Sequence, residues 1–302
     1  MKHETMKEKL SACPLCDSPE ERLFLEGVDY FLTREKFSIV ECSTCGFRFT
    51  NPRPSVESSG KYYQTDEYIS HDAGKRGIIP TLYGIARHLT LRSKFGIIKR
   101  YSPGNSILDI GCGTGEFLDY CQKMGLHCIG VEPSDKARNF ASTTYGLDVK
   151  ADFLAGIENS DRFDCITLWH VLEHIHKLDE TLKKLSGILK KEGVLIVALP
   201  NSNSFDAQYY GKFWAAYDLP RHIYHFTKGS LNNLAEKYNL SCQKILPQKL
   251  DAYYISILSE KYMKGSTNYI RAFFRGLISN CKAGNPQIGH SSEIYILKSK
   301  IS

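Results

Sequence analysis

The chain has 302 residues, 42% of them hydrophobic and 24% charged, with a formal net charge of +6. That length suffices for a full hydrophobic core, and so mild a charge does not by itself define a nucleic-acid surface. The polar amino terminus lacks the apolar run of a signal peptide, and no stretch reaches the about 20 apolar residues of a membrane span, which points to the cytoplasm. Ten cysteines in such a chain argue for metal ligands or free thiols rather than disulfides.

Four of those cysteines form two knuckles, Cys13-Pro14-Leu15-Cys16 and Cys42-Ser43-Thr44-Cys45. Each C-x-x-C turn sets two thiolates on one side of a tetrahedral ion, and two turns complete a closed four-thiolate site. A strand over 36–41 leads into the second knuckle, giving the outline of a zinc ribbon with structural Zn²⁺ on Cys13, Cys16, Cys42 and Cys45. The other six cysteines have no metal spacing and are expected to be small core residues. Asn51-Pro52-Arg53-Pro54 breaks the chain, so a ribbon domain is expected over 1–55 and a helical linker or lid over 56–101.

From 102 onward strands and helices alternate, the signature of a parallel sheet with helices on both faces. Strands are expected at 106–110, 127–132, 147–151, 163–168, 193–199, 241–247 and 293–299, and helices near 115–125, 134–145, 177–190 and 228–238. This is an α/β fold with a Rossmann-like, seven-stranded, mostly parallel sheet, carrying a helical insertion at about 250–290. The first strand runs into Asp109-Ile110-Gly111-Cys112-Gly113-Thr114-Gly115-Glu116, a glycine turn opening a helix. Its G-x-G-x-G spacing departs from that of dinucleotide binders, and the carboxylates of Asp109 and Glu116 would repel a pyrophosphate but welcome a cation. Glu132, at the end of the second strand, is placed to accept hydrogen bonds from ribose hydroxyls.

This segment resembles motif I of the class I S-adenosylmethionine-dependent methyltransferases. The resemblance implies that Asp109, Gly111, Gly113 and Gly115 cradle the methionine part of the cofactor, and that Asp152, with Phe153 beside it, reaches the adenine amino group. Asp152 would equally serve as a helix N-cap. His170 and the pair Glu173-His174 match the family's cofactor and substrate boundary, and Tyr63 and Tyr68 match a lid over the cofactor. His170 and His174 share a helical face but lack a third ligand in spacing for a metal, and Glu173 and His174 read as pocket residues or an acid/base pair.

A second polar cluster, Asp218-Leu219-Pro220-Arg221-His222-Ile223-Tyr224-His225, resembles the substrate segment of bacterial sugar C-methyltransferases that carry N-terminal zinc ribbons. The reading is methyl transfer to a small metabolite, such as a nucleotide-linked sugar, with His225 as first choice of general base, then His174 and His222. Two other readings are an RNA methyltransferase that recognises RNA through the ribbon, and a scaffold that binds cofactor without catalysis. The mixed charge of the ribbon disfavours the first, and the intact glycine turn disfavours the second.

Overall fold

The computed structural model describes residues 7–63 and 78–300, with the backbone alone at 78–87. Tyr68 lies outside the described residues. The amino-terminal region holds five strands: β1 (Lys7–Glu8), β2 (Glu21–Val28), β3 (Lys36–Cys42), β4 (Arg48–Thr50) and β5 (Arg53–Pro54). Strands β2, β3 and β4 form an antiparallel ribbon, and β1 pairs with β5. A long helix, α1 (Ile78–Tyr101), leads to the main sheet.

The sheet is built from β6 (Ser106–Ile110), β7 (His127–Val131), β8 (Asp148–Lys150), β9 (Phe163–Trp169) and β10 (Leu189–Pro200). The short β11 (Tyr224–His225) lies outside it, and β12 (Leu240–Pro247) and β13 (Ser292–Ser299) complete it. Its order is β12-β13-β10-β9-β6-β7-β8, with only β13 running against its neighbours. The seven expected strands are all present, and the mostly parallel sheet is the expected one. Strand β9 is buried at every position but the last. A near-continuous apolar run is what a central strand covered on both faces requires.

Helices α2 (Glu116–Lys123), α3 (Asp135–Tyr145), α4 (Phe153–Gly156) and α5 (Leu178–Ile188) connect the parallel strands. Between β10 and β12 come α6 (Phe205–Tyr210) and α7 (Lys228–Lys237), and between β12 and β13 come α8 (Asp251–Lys264) and α9 (Tyr269–Lys282). Thr227 caps α7 through a capping box with Ser230, a local arrangement that contributes about 1 kcal/mol.

Ribbon and sheet share a core. Phe47 stacks on Phe49 and Tyr224, and the same apolar cluster continues to Leu195 and Leu297 of the main sheet. Strand β11 pairs with β4, so the segment between β10 and β12 donates a strand to the ribbon. Of the cysteines expected in the core, Cys121 and Cys165 are buried and Cys112, Cys128 and Cys242 are partly so, but Cys281 is exposed. Its place on the outward face of α9 accounts for the difference.

Candidate active site

The four knuckle cysteines come together. Their Sγ atoms all lie within 4.8 Å of one another, with Cys13–Cys45 and Cys16–Cys42 each at 3.6 Å. Tetrahedral Zn–S bonds of about 2.3 Å place sulfurs about 3.8 Å apart, so the donor set fits a structural zinc ion. Gly46, at φ +71°, gives the second knuckle its tight return.

The glycine turn sits at the carboxyl end of β6, where open α/β sheets bind their ligands. A Cβ on Gly115 would lie 2.6 Å from Leu147, so the turn packs directly on the α3 side of the fold. Gly113, by contrast, has positive φ and nothing within 4 Å of its Cβ position, leaving its backbone open to close approach. Glu132 orders this turn: its Oε2 accepts from the Gly113 N–H and its Oε1 from the Ser134 N–H, each at 2.9 Å. Asp109 is buried and accepts from the Thr167 hydroxyl at 2.5 Å. Burial raises its pKa to about 6, against the opposing effect of the Thr167 hydrogen bond and the Lys94 ammonium. A buried carboxylate beside an open glycine turn fits a cationic ligand.

Asp152 is the N-cap of α4, accepting from the Ala155 N–H at 2.7 Å. Phe153 is buried in the core below it, under the Lys184 ammonium. His170 takes a left-handed backbone at φ +58°, and its ring faces Glu173 at 3.6 Å and Asp251 at 3.4 Å. Burial lowers its pKa, but the Asp251 and Glu173 carboxylates overcome that effect and raise it to about 9. Tyr63, expected over the cofactor, has its hydroxyl 3.0 Å from His174 Nδ1.

After β9 the chain makes a single 3-10 turn, Leu172–His174. This turn and the loop before β11 bring Glu173, His174 and His222 together, with one ligating atom from each within 4.8 Å of the others. The His174 and His222 rings meet edge to face, with centroids 4.6 Å apart. His174 Nδ1 lies 2.9 Å from the Arg221 carbonyl and His222 Nδ1 lies 2.9 Å from the Ala216 carbonyl. A carbonyl only accepts, so each Nδ1 carries a proton that it donates to that carbonyl, and each Nε2 is left toward the cluster. Burial and the neighbouring His222 lower the His174 pKa to about 4. His222 Nε2 stands 3.9 Å from Glu173 Oε1, beyond hydrogen-bond range.

Glu173 is 1% exposed, and neither of its oxygens has a hydrogen-bond partner among the described residues; nor does the buried Nε1 of Trp169. These groups cluster at the carboxyl end of β9. Buried polar atoms are normally paired, so these two groups make the carboxyl end of β9 a candidate ligand site. Burial opposes the charge of Glu173, but its pairing with His170 outweighs that effect and holds its pKa below the usual carboxylate value.

His225 lies apart from this group. It is buried on β11 against the Tyr217 ring, with Nε2 at 3.0 Å from Thr50 Oγ1. That hydroxyl donates its single hydrogen to the His222 carbonyl, so it accepts from His225 and Nε2 carries the proton. Burial also pushes the His225 pKa well below the usual histidine value. Arg221 is likewise committed, forked onto Asp218 at 2.5 and 2.9 Å and reaching Asp29 of the ribbon at 3.3 Å. Lys94 and Asp251 lie in segments read from sequence only as linker and insertion helices. A lone charge on a helix gives no signal of the site it faces.

A Rossmann-like sheet with one reversed strand, an acidic glycine turn after β6 and an acid-tipped β7 define the methyltransferase class of cofactor-binding fold. Residues 86–245, just over half of the chain, match the family described as "Methyltransferase domain", and the chain belongs to that family. It is 27% identical over 158 residues to a ubiquinone biosynthesis O-methyltransferase of Bradyrhizobium diazoefficiens, covering 50% of this chain and 62% of that one. It is also 27% identical over 187 residues to the protein of that name from Actinobacillus pleuropneumoniae serotype 7, covering 55% and 78%. The chain thus spans about three fifths of the length of the Bradyrhizobium protein. Among solved structures, it is similar to a SAM-dependent methyltransferase from Archaeoglobus fulgidus, with a TM-score of 0.49 and 22% identity over 71% of this chain and 94% of that one. No helix among the described residues is long and apolar enough to cross a membrane.

Proposed function

We propose that this protein transfers a methyl group from S-adenosylmethionine to a hydroxyl of a small-molecule acceptor. One observation carries the acceptor side of this reading: the buried Glu173 carboxylate, which has no hydrogen bond among the described residues, set beside two imidazoles. An acceptor-only group of this kind is suited to receive a hydroxyl proton. The names of the curated relatives, which are O-methyltransferases, agree with such a substrate.

On the cofactor side, Asp109, Gly111, Gly113 and Gly115 would hold the amino-acid end and Glu132 the ribose, with Asp152 and His170 along the rim and Phe153 backing it from the core. When bound, S-adenosylmethionine supplies a methyl carbon on a positively charged sulfur, which leaves as a neutral thioether. The protein aligns the acceptor oxygen with that carbon and removes the proton. In our assignment His222 Nε2 takes the hydroxyl proton as the new O–C bond forms, and the Glu173 carboxylate stabilises the resulting imidazolium. Neutral His174 and Tyr63 shape the pocket wall. The domain assignment follows, with the ribbon at 1–55, the linker at 56–101 and the methyltransferase region at 102–302. A nucleotide-linked sugar is one acceptor that meets the requirement for a hydroxyl.

Calorimetry with S-adenosylmethionine, followed by labelled methyl transfer to nucleotide sugars, hydroxylated aromatics and RNA, tests the assignment. We expect cofactor binding that Glu132→Ala weakens about 10-fold or more, since a charged hydrogen bond is worth about 1.5–3 kcal/mol. Label should appear in a small-molecule pool. Absence of cofactor binding sinks the reading, and label confined to RNA replaces its acceptor.

A further inference from the structure

The carboxyl end of β9 gathers three side chains able to ligate a single ion. Glu173 and His174 arrive on the 3-10 turn after β9, and His222 on the loop before β11. One ligating atom from each lies within 4.8 Å of the others. The sequence offered His170 and His174 without a third ligand in spacing. The fold supplies that ligand from a distant loop, and it leaves His170 aside, since Asp251 engages its Nε2 at 3.4 Å.

Three features distinguish this set from a chance meeting of polar groups. The Glu173 carboxylate is 1% exposed, and neither oxygen has a hydrogen bond among the described residues, so it is a buried acceptor without a donor. His222 Nε2 stands 3.9 Å from Glu173 Oε1. That gap is too long for a hydrogen bond but suits two ligands of one ion, which lie about 3–4 Å apart when each bond is about 2.1 Å. Finally, His174 and His222 donate their Nδ1–H groups to the Arg221 and Ala216 carbonyls, each at 2.9 Å. Imidazoles that ligate a metal through Nε2 are oriented by such a bond on the other nitrogen.

The donor set names the ion. Two imidazoles and one carboxylate suit Zn²⁺ and its first-row neighbours, whereas Mg²⁺ and Ca²⁺ take oxygen ligands. His174 is only partly buried, which gives an ion a way in. Three ligands hold an ion less firmly than the four thiolates of the ribbon, so this second ion exchanges. We propose that Glu173, His174 and His222 form an exchangeable site for a divalent transition cation, and that the ion switches methyl transfer off. The second half rests on the assignment of His222 as base. An ion and a hydroxyl proton need the same Nε2 lone pair, so a loaded site cannot take the proton.

The test titrates the full chain, with its ribbon ion in place, with Zn²⁺ by calorimetry and with Co²⁺ by visible absorption. Neither cofactor nor acceptor is present. We expect one ion per chain beyond that of the ribbon, with cobalt bands that lack the charge-transfer absorption of thiolates. Glu173→Gln and His174→Gln should each weaken this binding by more than the about 10–100-fold that loss of an outer support residue costs. Thermal melts establish that the variants fold, and the wild-type cobalt spectrum decides by itself if they do not. No second ion, a thiolate band on the second ion, or binding unchanged in both folded variants overturns the site. Labelled methyl transfer then tests the switch: saturating Zn²⁺ should slow it about 10²-fold or more, reversibly on chelation too mild to strip the ribbon. A second ion that leaves the rate unchanged overturns the switch, and with it His222 as base. Absence of methyl transfer from the chain without the second ion counts against the functional reading alone, because the ion count needs neither cofactor nor acceptor.

Discussion

Two clusters of ligating side chains differ in how they are completed. The four cysteines come from two short turns of one small sheet, and their thiols converge so that a single ion would satisfy them all. Glu173, His174 and His222 come from two loops far apart in the chain, and their free valences face one another. The first cluster has the closed geometry of a structural site; the second leaves carboxylate oxygens without a hydrogen bond, as the proposed acceptor pocket requires.

The largest effect should follow from breaking the closed cluster. Cys42→Ser/Cys45→Ser, or prolonged chelation, should reduce zinc from one ion per chain to none by elemental analysis. It should also lower the melting temperature sharply, since structural zinc binding is worth about 10–16 kcal/mol. Cys242→Ser should leave both unchanged. A wild-type chain that holds no zinc after growth in zinc-containing medium would refute the closed-cluster reading.

The open cluster should respond in rate rather than in stability. His222→Ala is expected to lower kcat by about 10²–10⁴ while cofactor affinity stays within a few-fold, the range for a lost general base. His225→Ala should instead lower the melting temperature, because it removes the Thr50 contact and leaves a cavity in a buried seam. If His225→Ala loses rate at unchanged stability while His222→Ala does not, the two roles are reversed.

A smaller effect concerns pH. His170 has its pKa raised to about 9, above the ordinary histidine value of about 6.5, so its ion pairs stabilise the folded state fully below pH about 6.5. That contribution is lost as pH rises through about 9. His170→Asn, which suits the left-handed backbone, should flatten the fall in melting temperature over this window. The difference will be modest, because the side chain is 34% exposed and water screens it. Parallel curves for the two proteins would remove His170 from the ion-pair network.

The same contrast explains what could be read from the chain alone. Local signals survived folding: knuckle spacing, the glycine turn and the apolar run of β9 each lie within a few residues, and each became the element expected. The acceptor side did not, because its geometry is tertiary. His222 and His225 stand three residues apart and look equivalent in sequence. Pairing of β11 with β4 buries one of them, while the loop before it carries the other to Glu173. Asp251 and Lys94 reach the site from helices whose sequence says only that they are helices.

The β4–β11 pairing has a mechanical consequence. Thr50, at the end of β4, donates its N–H to the Ile223 carbonyl and its hydroxyl hydrogen to the His222 carbonyl. The ribbon thus grips the backbone on which His222 is mounted. The four cysteines brace the same small domain that holds this backbone, so the domain works as a vice that keeps the proposed base, one imidazole, near one carboxylate.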